Sequence, residues 1–406
     1  MKIHFTIGAW IPGVCLPLLV LTMASFGSAG VGPVTTLLML PDMTDLSGMA
    51  EFPDPPYTCK QFSSWDRAST SSTQNWFANG DCGQYLRIEN RNGRKEYVMM
   101  DAEGPGAIVR IWSANPDGVL RIYIDRAEKP ALEAPLQEIL GGTYPGLPDP
   151  IACERSRGWN LYLPIPYAKH CTVTSDKGEF YYHVNYRTYP PGTKVVSFTA
   201  DQDAACTAEI KAVAGKLSAP GDLNAPPAGT ETKAFDVMVA PGASVELGSF
   251  SGAKAVRRFV IRWPSTGERD EPALRSVVLS MAFDGEASVE APLGDFFGSA
   301  PGINPFESLP LSVAKDGTMT CRWVMPFKTS AVIRARNLGK AAVHLKGESV
   351  VAPHTWIPAT MHFHAKWRIE HNLPTDPKRD WNYMTATGQG VFAGRDLPRR
   401  WPVPQG

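Results

Sequence analysis

An internal repeat constrains the fold of this chain more than any other feature of its sequence. In the first half, Leu120-Arg-Ile-Tyr-Ile-Asp125 is followed by Leu132-Glu-Ala-Pro-Leu136. In the second half, Leu279-Ser-Met-Ala-Phe-Asp284 is followed by Val289-Glu-Ala-Pro-Leu293. The two Asp residues are 159 positions apart, and the Leu residues that close the runs are 157 apart. Matches in one order at nearly one offset predict two copies of a unit of about 160 residues.

Both units are predicted to be β-sandwiches. A third match, Leu163-Pro-Ile-Pro-Tyr167 with Val324-Met-Pro-Phe327, supports the same offset. Helix signals are weak, whereas short runs rich in β-branched or aromatic residues recur between turn residues. These runs are 107–112, 120–125, 181–186, 194–199, 257–263, 276–283, 331–335 and 361–367. The predicted fold class is all-β, with two tandem jelly-roll β-sandwich domains, because an eight-stranded jelly roll suits a unit of this size.

The first 29 residues have the pattern of a secretory signal peptide. Lys2 precedes an apolar stretch over 7–24, and Gly27-Ser-Ala29 offers the small residues that signal peptidase requires. Prolines within the stretch suit a cleaved signal better than a spanning helix. We therefore expect the mature protein to be periplasmic or secreted. A retained N-terminal anchor is the alternative.

A segment rich in Ala, Gly and Pro separates two predicted domains in the rest of the chain. Residues 212–233 are rich in Ala, Gly and Pro, and Asn224-Ala-Pro-Pro-Ala-Gly229 suits neither a helix nor a central strand. We predict a first jelly-roll domain over 30–211, a linker over 212–233, a second domain over 234–394 and an irregular tail over 395–406.

Charge and cysteine content bear on the class of function. Lys plus Arg and Asp plus Glu number 40 each, and this balance without a basic block argues against nucleic acid as a partner. Six cysteines follow the signal segment, and their spacing leaves both disulfides and buried thiols open. The cysteines have no metal-site spacing, and GxSxG, phosphate-loop and HExxH motifs do not occur. We expect neither a metal nor a cofactor.

The strongest candidate binding segment contains Asp66, Arg67, Asn75 and Trp76. An Asp and an Arg flanked by Trp residues in a loop suit sugar recognition. The ions exchange hydrogen bonds with hydroxyls, and indole faces cover apolar C–H surfaces. We predict that these four residues bind substrate. The structural alternative is a surface ion pair, with a Trp closing the end of a sandwich.

Three further groups are weaker candidates. Asp295 lies on a Gly-bounded turn that could face a cleft, although a turn Asp commonly caps local amides. Glu268, Asp270 and Glu271 form a charge cluster of the kind that is usually a solvated loop. His362 and His364 alternate on a predicted strand, but no third metal ligand is recognisable, so we expect structural histidines.

Several segments together resemble glycoside hydrolase family 172, whose members include α-D-fructofuranosidases and D-arabinofuranosidases. The resembling segments follow one another in the family's order and span nearly the whole mature chain. They are Ser63-Ser-Trp-Asp-Arg67 with Asn75-Trp76, Glu103-Gly-Pro-Gly-Ala-Ile-Val-Arg-Ile-Trp112, Asn160-Leu-Tyr-Leu-Pro-Ile-Pro-Tyr167, Gly294-Asp-Phe-Phe-Gly298 and His364-Ala-Lys-Trp-Arg368.

This resemblance implies two jelly rolls per subunit and assembly as a homotrimer or a multiple of it. It implies an oligo- or polysaccharide substrate that contains furanosides. It also implies retaining hydrolysis by two glutamates, one an acid/base and one a nucleophile, about 5–5.5 Å apart.

The sequence departs from the family near its end. The family's catalytic glutamates follow the equivalent of Ala386-Thr-Gly-Gln-Gly-Val-Phe392, in runs like Trp-Gly-Glu-Gly-Asp and Gly-Thr-Gly-Thr-Glu-Asp-Tyr. This chain has neither run, so no catalytic residue can be assigned. We expect a frameshift or premature stop near residue 395, with a genuinely shortened relative of the family as the alternative. We also expect a second jelly roll that lacks its last strands, with open sheet edges and poor solubility.

Two functions are compatible with the sequence. One is an exported hydrolase of α-linked fructofuranosyl or D-arabinofuranosyl residues, impaired in this chain. The other is a non-catalytic carbohydrate-binding or assembly protein with the same fold. A third and weaker alternative, an amidase on a similar double jelly roll, has no residue pattern in its favour.

Overall fold

The structure, a computed structural model, describes residues 32–71, 77–201, 204–221, 227–264, 270–374, 376, 381–382 and 384–393. The predicted signal peptide over 1–29 and the predicted tail over 395–406 lie outside these ranges. None of the helices in the described ranges combines the length and the apolar run that a bilayer crossing requires.

The first sandwich consists of two antiparallel sheets that face each other across one core. Sheet A has the order β1-β11-β4-β8-β7, with β9 also paired to β4, and sheet B has the order β2-β3-β10-β5-β6. The strands are β1 (Thr58–Ser63), β2 (Arg87–Arg91), β3 (Arg94–Glu103), β4 (Gly106–Ser113), β5 (Val119–Ile124), β6 (Leu132–Pro135), β7 (Ala152–Arg155), β8 (Gly158–Leu161), β9 (Ile165–Tyr167), β10 (His170–Ser175) and β11 (Tyr182–Thr188).

The second sandwich repeats this plan. Sheet C has the order β12-β22-β14-β19-β18-β17, with β20 also paired to β14, and sheet D has the order β13-β21-β15-β16-β23. The strands are β12 (Glu231–Val239), β13 (Ser244–Ser251), β14 (Lys254–Arg262), β15 (Val277–Phe283), β16 (Glu286–Pro292), β17 (Phe306–Glu307), β18 (Leu311–Val313), β19 (Thr318–Cys321), β20 (Met325–Phe327), β21 (Ser330–Asn337), β22 (Val343–Pro353) and β23 (Ala365–Lys366).

The topology confirms the prediction of two all-β sandwiches. Eight main strands of the first sandwich can be numbered 1 to 8 in chain order: β1, β3, β4, β5, β6, β8, β10 and β11. In this numbering, the strands of sheet A lie in the order 1-8-3-6 and those of sheet B in the order 2-7-4-5. This is the strand arrangement of a jelly roll with two Greek keys. Sheets C and D follow the same order with β12, β13, β14, β15, β16, β19, β21 and β22.

The expectation that the second jelly roll lacks its last strands is wrong. β22 is the counterpart of β11, and it lies between β12 and β14 as β11 lies between β1 and β4. It ends at Pro353, so residues 354–393 follow the roll rather than complete it. The eighth strand closes each roll because it pairs with strands on both sides, and both copies contain it.

The repeated Asp residues bind the same turn in both sandwiches. Asp125 and Asp284 have positive φ angles of 53° and 52°, a conformation that Asp tolerates better than most residues. The Asp125 carboxylate accepts hydrogen bonds from the amides of Lys169 and His170. That of Asp284 accepts them from the turn of residues 328–330. The repeat in the sequence therefore marks a structural turn.

The repeated Leu residues begin short helices that close the core. α2 (Leu136–Gly141) and α5 (Leu293–Phe296) each follow a Pro at the N-cap, and both leading Leu side chains are fully buried. A fixed φ angle makes Pro well suited to a helix start.

An N-terminal strap connects the two sandwiches. It contains α1 (Thr36–Met39) and 3₁₀ turns at Pro41–Met43 and Gly48–Ala50. At its start, Val34 forms a bridge with Val195 of the first sandwich. At its end, Ala50 packs against Ala255 and Val324, and Glu51 forms a bridge with Thr360.

A helix extends into the segment predicted as the linker. α3 (Ala204–Ser218) buries Cys206, Ile210, Val213 and Ala214, a helical spacing, and β12 starts before residue 233. Ala-rich sequence favours a helix when one face is buried, which composition alone did not indicate. The remaining α-helix of the described residues, α4 (Asp270–Ser276), directly precedes β15 in the chain.

Six of the eight predicted runs coincide with strands, namely β4, β5, β11, β14, β15 and β21. Two do not. In 194–199 only Val195 forms a bridge, and in 361–367 only Ala365–Lys366 is a strand. Both segments lie at sheet margins, where backbone partners are few.

Within the part of the chain that the structure describes, none of the six cysteines after the signal segment forms a disulfide. Four are buried, and burial raises the pKa of the Cys321 thiol to about 12. Of the two alternatives left open by the spacing, the structure shows thiols.

A buried carboxylate organises the outer face of sheet B. Glu96 is 0% exposed and accepts hydrogen bonds from the Tyr123 hydroxyl at 2.9 Å and the Thr174 hydroxyl at 2.7 Å. Arg94 approaches it at 3.4 Å, and the buried Arg121 lies 3.9 Å away. These contacts replace the water that a charged carboxylate would otherwise need.

We predict that Glu96→Ala lowers the free energy of unfolding by about 3 kcal/mol or more, because it leaves buried donors and an arginine without their acceptor. The matched control is Glu103→Ala on the same strand, where the side chain is 70% exposed and paired with Arg126. Its loss should stay below about 1 kcal/mol. Urea denaturation of both variants measures the difference, and equal losses would contradict the role of Glu96.

Candidate functional site

The loop predicted to bind sugar leaves sheet A at the end of β1. The pairing with β11 continues one residue beyond the strand, since the Ser64 amide donates to the Tyr182 carbonyl and the Tyr182 amide to Ser64 Oγ. Trp65 follows and is 48% exposed, while Tyr181 before β11 is 39% exposed. Two aromatic side chains are thus accessible where the loop begins.

Asp66 and Arg67 both bind backbone groups of this loop. The Asp66 carboxylate accepts hydrogen bonds from the amides of Ala68 at 2.9 Å and Gly80 at 2.8 Å, and these bonds lower its pKa. The Arg67 guanidinium donates to the carbonyls of Ser63 and Trp65 and lies 4.6 Å from the Trp65 ring. These contacts shape the loop and hold the indole, and the predicted sugar contacts stay a prediction.

Asn75 and Trp76, the other two predicted substrate-binding residues, lie outside the described residues.

The structure adds an aromatic platform, defined here as Trp112 and His183, on the outer face of sheet A. The two residues are direct neighbours on β4 and β11, and their rings lie 4.7 Å apart at 36°. A Cβ at position 158 would lie 2.5 Å from Trp112 Nε1, so Gly158 provides the space that the indole occupies. Both rings are partly exposed.

Hydrogen-bonding groups surround the platform. Arg110 donates from Nε and Nη2 to Asn160 Oδ1, at 3.2 and 2.9 Å. The Asn185 amide donates to Gln61 at 2.9 Å, while its own Oδ1 is buried and accepts no hydrogen bond from the described residues. Rings with donors and acceptors at their edges form the surface that a polyhydroxylated ligand requires.

The charge of a loop carboxylate, Asp81, acts on the pKa of His183 in the platform. Burial lowers the pKa of His183, the positive charge of Arg110 lowers it further, and Asp81 opposes both effects. Asp81 in turn accepts a hydrogen bond from the Asp66 amide at 2.7 Å. His183 therefore favours the neutral ring, which can both donate and accept a hydrogen bond.

The same outer face continues into a small cavity of about 250 Å³ beneath the N-terminal strap. Val109, Tyr162 and Arg187 line it from sheet A and the adjoining segment, and Asp42 lines it from the strap. Arg187 lies 3.9 Å from Asp42 and stacks on Tyr57 at 4.1 Å. Because side chains alternate along β11, Arg187 shares its face with Asn185 and His183.

The second sandwich provides an internal comparison for the platform. β4 and β14 align through their pairs with Tyr167 and Phe327, which places Val260 where Trp112 lies. Its neighbour across the sheet is Glu348, where the first sandwich has His183. The platform is therefore a feature of the first copy and not of the duplicated scaffold.

Asp295 lies against two side chains that sequence analysis did not associate with it. Its carboxylate is 2.8 Å from Arg275 Nε and accepts a hydrogen bond from the Trp367 indole at 3.1 Å. Burial raises its pKa, and the Arg275 charge and the indole bond oppose this. The carboxylate thus joins α5 to the segment that follows β23.

The remaining candidates have structural environments or lie outside the described residues. His362 forms a hydrogen bond with Asp284 at 2.8 Å, its ring lies 4.8 Å from that of Trp356, and His364 is exposed. Glu268 and the side chains of Asp270 and Glu271 lie outside the described residues. Within the described ranges, no three His, Cys, Asp or Glu side chains come together as a metal site would require.

Fold and site together define a tandem jelly-roll protein with an aromatic and polar surface site on its first roll. Residues 55–206 match the GH172 first beta-sandwich domain, and residues 229–350 match a GH172 domain-like region. The two matches cover about two thirds of the chain. The chain belongs to glycoside hydrolase family 172.

No curated protein matches this chain. The major capsid protein P2 from bacteriophage PM2 is 7% identical, with 75% of this chain and 100% of that chain covered and a TM-score of 0.20. AerE from Microcystis aeruginosa is 10% identical, with 65% and 96% covered and a TM-score of 0.14. Likeness this slight carries no weight for function.

We predict that acidification destabilises the protein in part through His183. Because the folded-state pKa is lowered, the unfolded chain binds more protons below the ordinary pKa of His, and stability falls as the pH falls from about 7.5 to about 5.5. In His183→Gln the decline should be smaller. Denaturant unfolding at both pH values measures it, with His364→Gln, an exposed ring, as control. An unchanged decline in His183→Gln would contradict the assignment.

Proposed function

We propose that this protein acts on furanoside-containing oligo- or polysaccharides and that it holds the sugar on the outer face of sheet A. The observation that carries the proposal is the aromatic platform, with Arg110, Asn160 and Asn185 beside it. We assign further sugar contacts to Asp66, Arg67, Asn75 and Trp76, of which Asp66 and Arg67 lie in the described loop that follows β1.

Family membership supports the choice of substrate class. The proposed reaction is retaining hydrolysis of an α-linked fructofuranosyl or D-arabinofuranosyl residue. It needs an acid/base and a nucleophile about 5–5.5 Å apart. We propose no residue of this chain for either role. The proposed setting is the periplasm or the outside of the cell, and the proposed assembly is a homotrimer or a multiple of it.

One observation favours a second candidate, a non-catalytic carbohydrate-binding protein. The carboxylate of Asp66, in the loop that follows β1, accepts hydrogen bonds from the backbone amides of Ala68 and Gly80, and these bonds lower its pKa. A carboxylate in such bonds is held ionised, which suits ligand binding better than the delivery of a proton.

Turnover separates the two candidates. An aryl α-D-arabinofuranoside and difructose dianhydride serve as substrates, and NMR follows the anomeric configuration of the first product. Hydrolysis with retention supports the hydrolase. Binding without turnover supports the non-catalytic candidate, and neither binding nor turnover with any furanoside overturns the proposal.

We predict that Trp112→Ala weakens furanoside binding about tenfold. An indole face of about 50 Å² contributes about 1.3 kcal/mol when a sugar covers it. Trp112→Phe should retain part of the affinity, because it keeps an aromatic face. Titration calorimetry with methyl α-D-arabinofuranoside measures the change.

The control is Met238→Ala, an exposed apolar side chain on β12 that is 60% accessible. If the unchanged protein, the Trp112→Ala variant and the control variant bind the furanoside with equal affinity, the platform is not part of the sugar-binding site.

A further inference from the structure

The second sandwich contains a cavity of about 540 Å³ that the proposed function does not use. It lies between the end of α4, the edge of sheet D and the segment after β23, and this volume is typical of small-molecule sites. Its principal lining side chains are Arg275, Glu290, Pro292, Leu338, Lys366 and Trp367. We call it the Trp367 cavity.

One buried carboxylate orients two walls of this cavity. Asp295, 14% exposed, lies 2.8 Å from Arg275 Nε and accepts the Trp367 indole proton at 3.1 Å. The Arg275 guanidinium is 5.7 Å from the Trp367 ring centre. The contact of Arg275 with Asp295 is made through Nε, and among the described residues no protein acceptor takes a hydrogen bond from its two Nη groups. A guanidinium held in this way presents donors to a ligand without further loss of side-chain freedom.

Backbone pairing sets the position of the indole. β23 pairs in parallel with β16, with Lys366 opposite Glu290, and the Trp367 amide donates to the Glu290 carbonyl at 3.2 Å. Trp367 remains 37% exposed, although both its amide and its indole nitrogen are bonded. A ring that is anchored at two points and still open offers a flat apolar wall.

The charged side chains of the cavity sum to zero net charge, but only two of the four form an ion pair with each other. Arg275 is matched by Asp295, whereas Lys366 and Glu290 make no ion pair within the described residues. Lys366 uses one donor on the Ala287 carbonyl at 3.2 Å and keeps two. The cavity therefore offers free donors on two side chains and a free acceptor on Glu290, with no net charge.

We propose that the Trp367 cavity binds one residue of a neutral saccharide, separately from the site on sheet A. A sugar hydroxyl both donates and accepts, which matches separated donors and acceptors with no net charge. The apolar face of the sugar ring lies on Trp367, and Pro292 and Leu338 cover its edge. An anionic sugar would meet Glu290 without a compensating excess of positive charge.

The test uses the full chain labelled with 5-fluorotryptophan, in which the resonance that disappears in Trp367→Phe identifies Trp367. Titration with methyl α-D-arabinofuranoside or sucrose should shift this resonance to saturation. Arg275→Ala should weaken the response about tenfold, and Lys366→Met, an exposed side chain, should weaken it about threefold. Calorimetry verifies that each variant remains folded.

The matched control is Arg126→Ala in the first sandwich, an arginine that is ion-paired with Glu103 at 2.6 Å and remote from the cavity. Its titration should equal that of the unchanged protein. Galacturonate serves as the anionic probe. A Trp367 resonance that moves only with galacturonate, or with no probe, overturns the inference.

The experiment tests the two proposed sugar sites separately. A response of Trp112 without one of Trp367 leaves the proposed function standing and removes the second site. A response of Trp367 without one of Trp112 retains the second site and removes the platform from the proposed function.

Discussion

Burial of one sheet face against another is the constraint on which the rest of this structure depends. In β11, Tyr182, Val184 and Tyr186 point into the core of the first sandwich. Because side chains alternate, His183 and Asn185 must lie on the outer face. A shift of one residue in register would exchange the two sets, so that the packing of the core also places the candidate site.

Duplication supplied two copies of this scaffold, and their outer faces differ. The strand order, the Asp turn and the Pro–Leu start of the closing helix recur in both copies. Outside the core, the Trp112–His183 pair is replaced by Val260–Glu348, and the second copy has the Trp367 cavity instead. Core positions tolerate little change, whereas outer positions are free to acquire different ligands.

Much of the fold was predictable from the sequence, because sheet pairing depends on local patterns that repeat. Six strands, the two sandwiches and the loop at Asp66 follow from alternation, turn residues and the repeat. α3 was missed because its buried face depends on a partner surface that composition does not indicate. The last strand of the second roll was missed because the tail beyond Pro353 was assigned to the roll.

The sequence by itself determined the fold class, the duplication and the family, since each depends on residue types in a fixed order along the chain. Only the tertiary structure decided which side chains form a site. Trp112 and His183 meet because β4 and β11 are adjacent in sheet A, and Asp295 meets Arg275 and Trp367 because three separate segments converge. Contacts between distant segments depend on sheet order, and a one-dimensional pattern specifies which face a residue occupies but not which strand lies beside it.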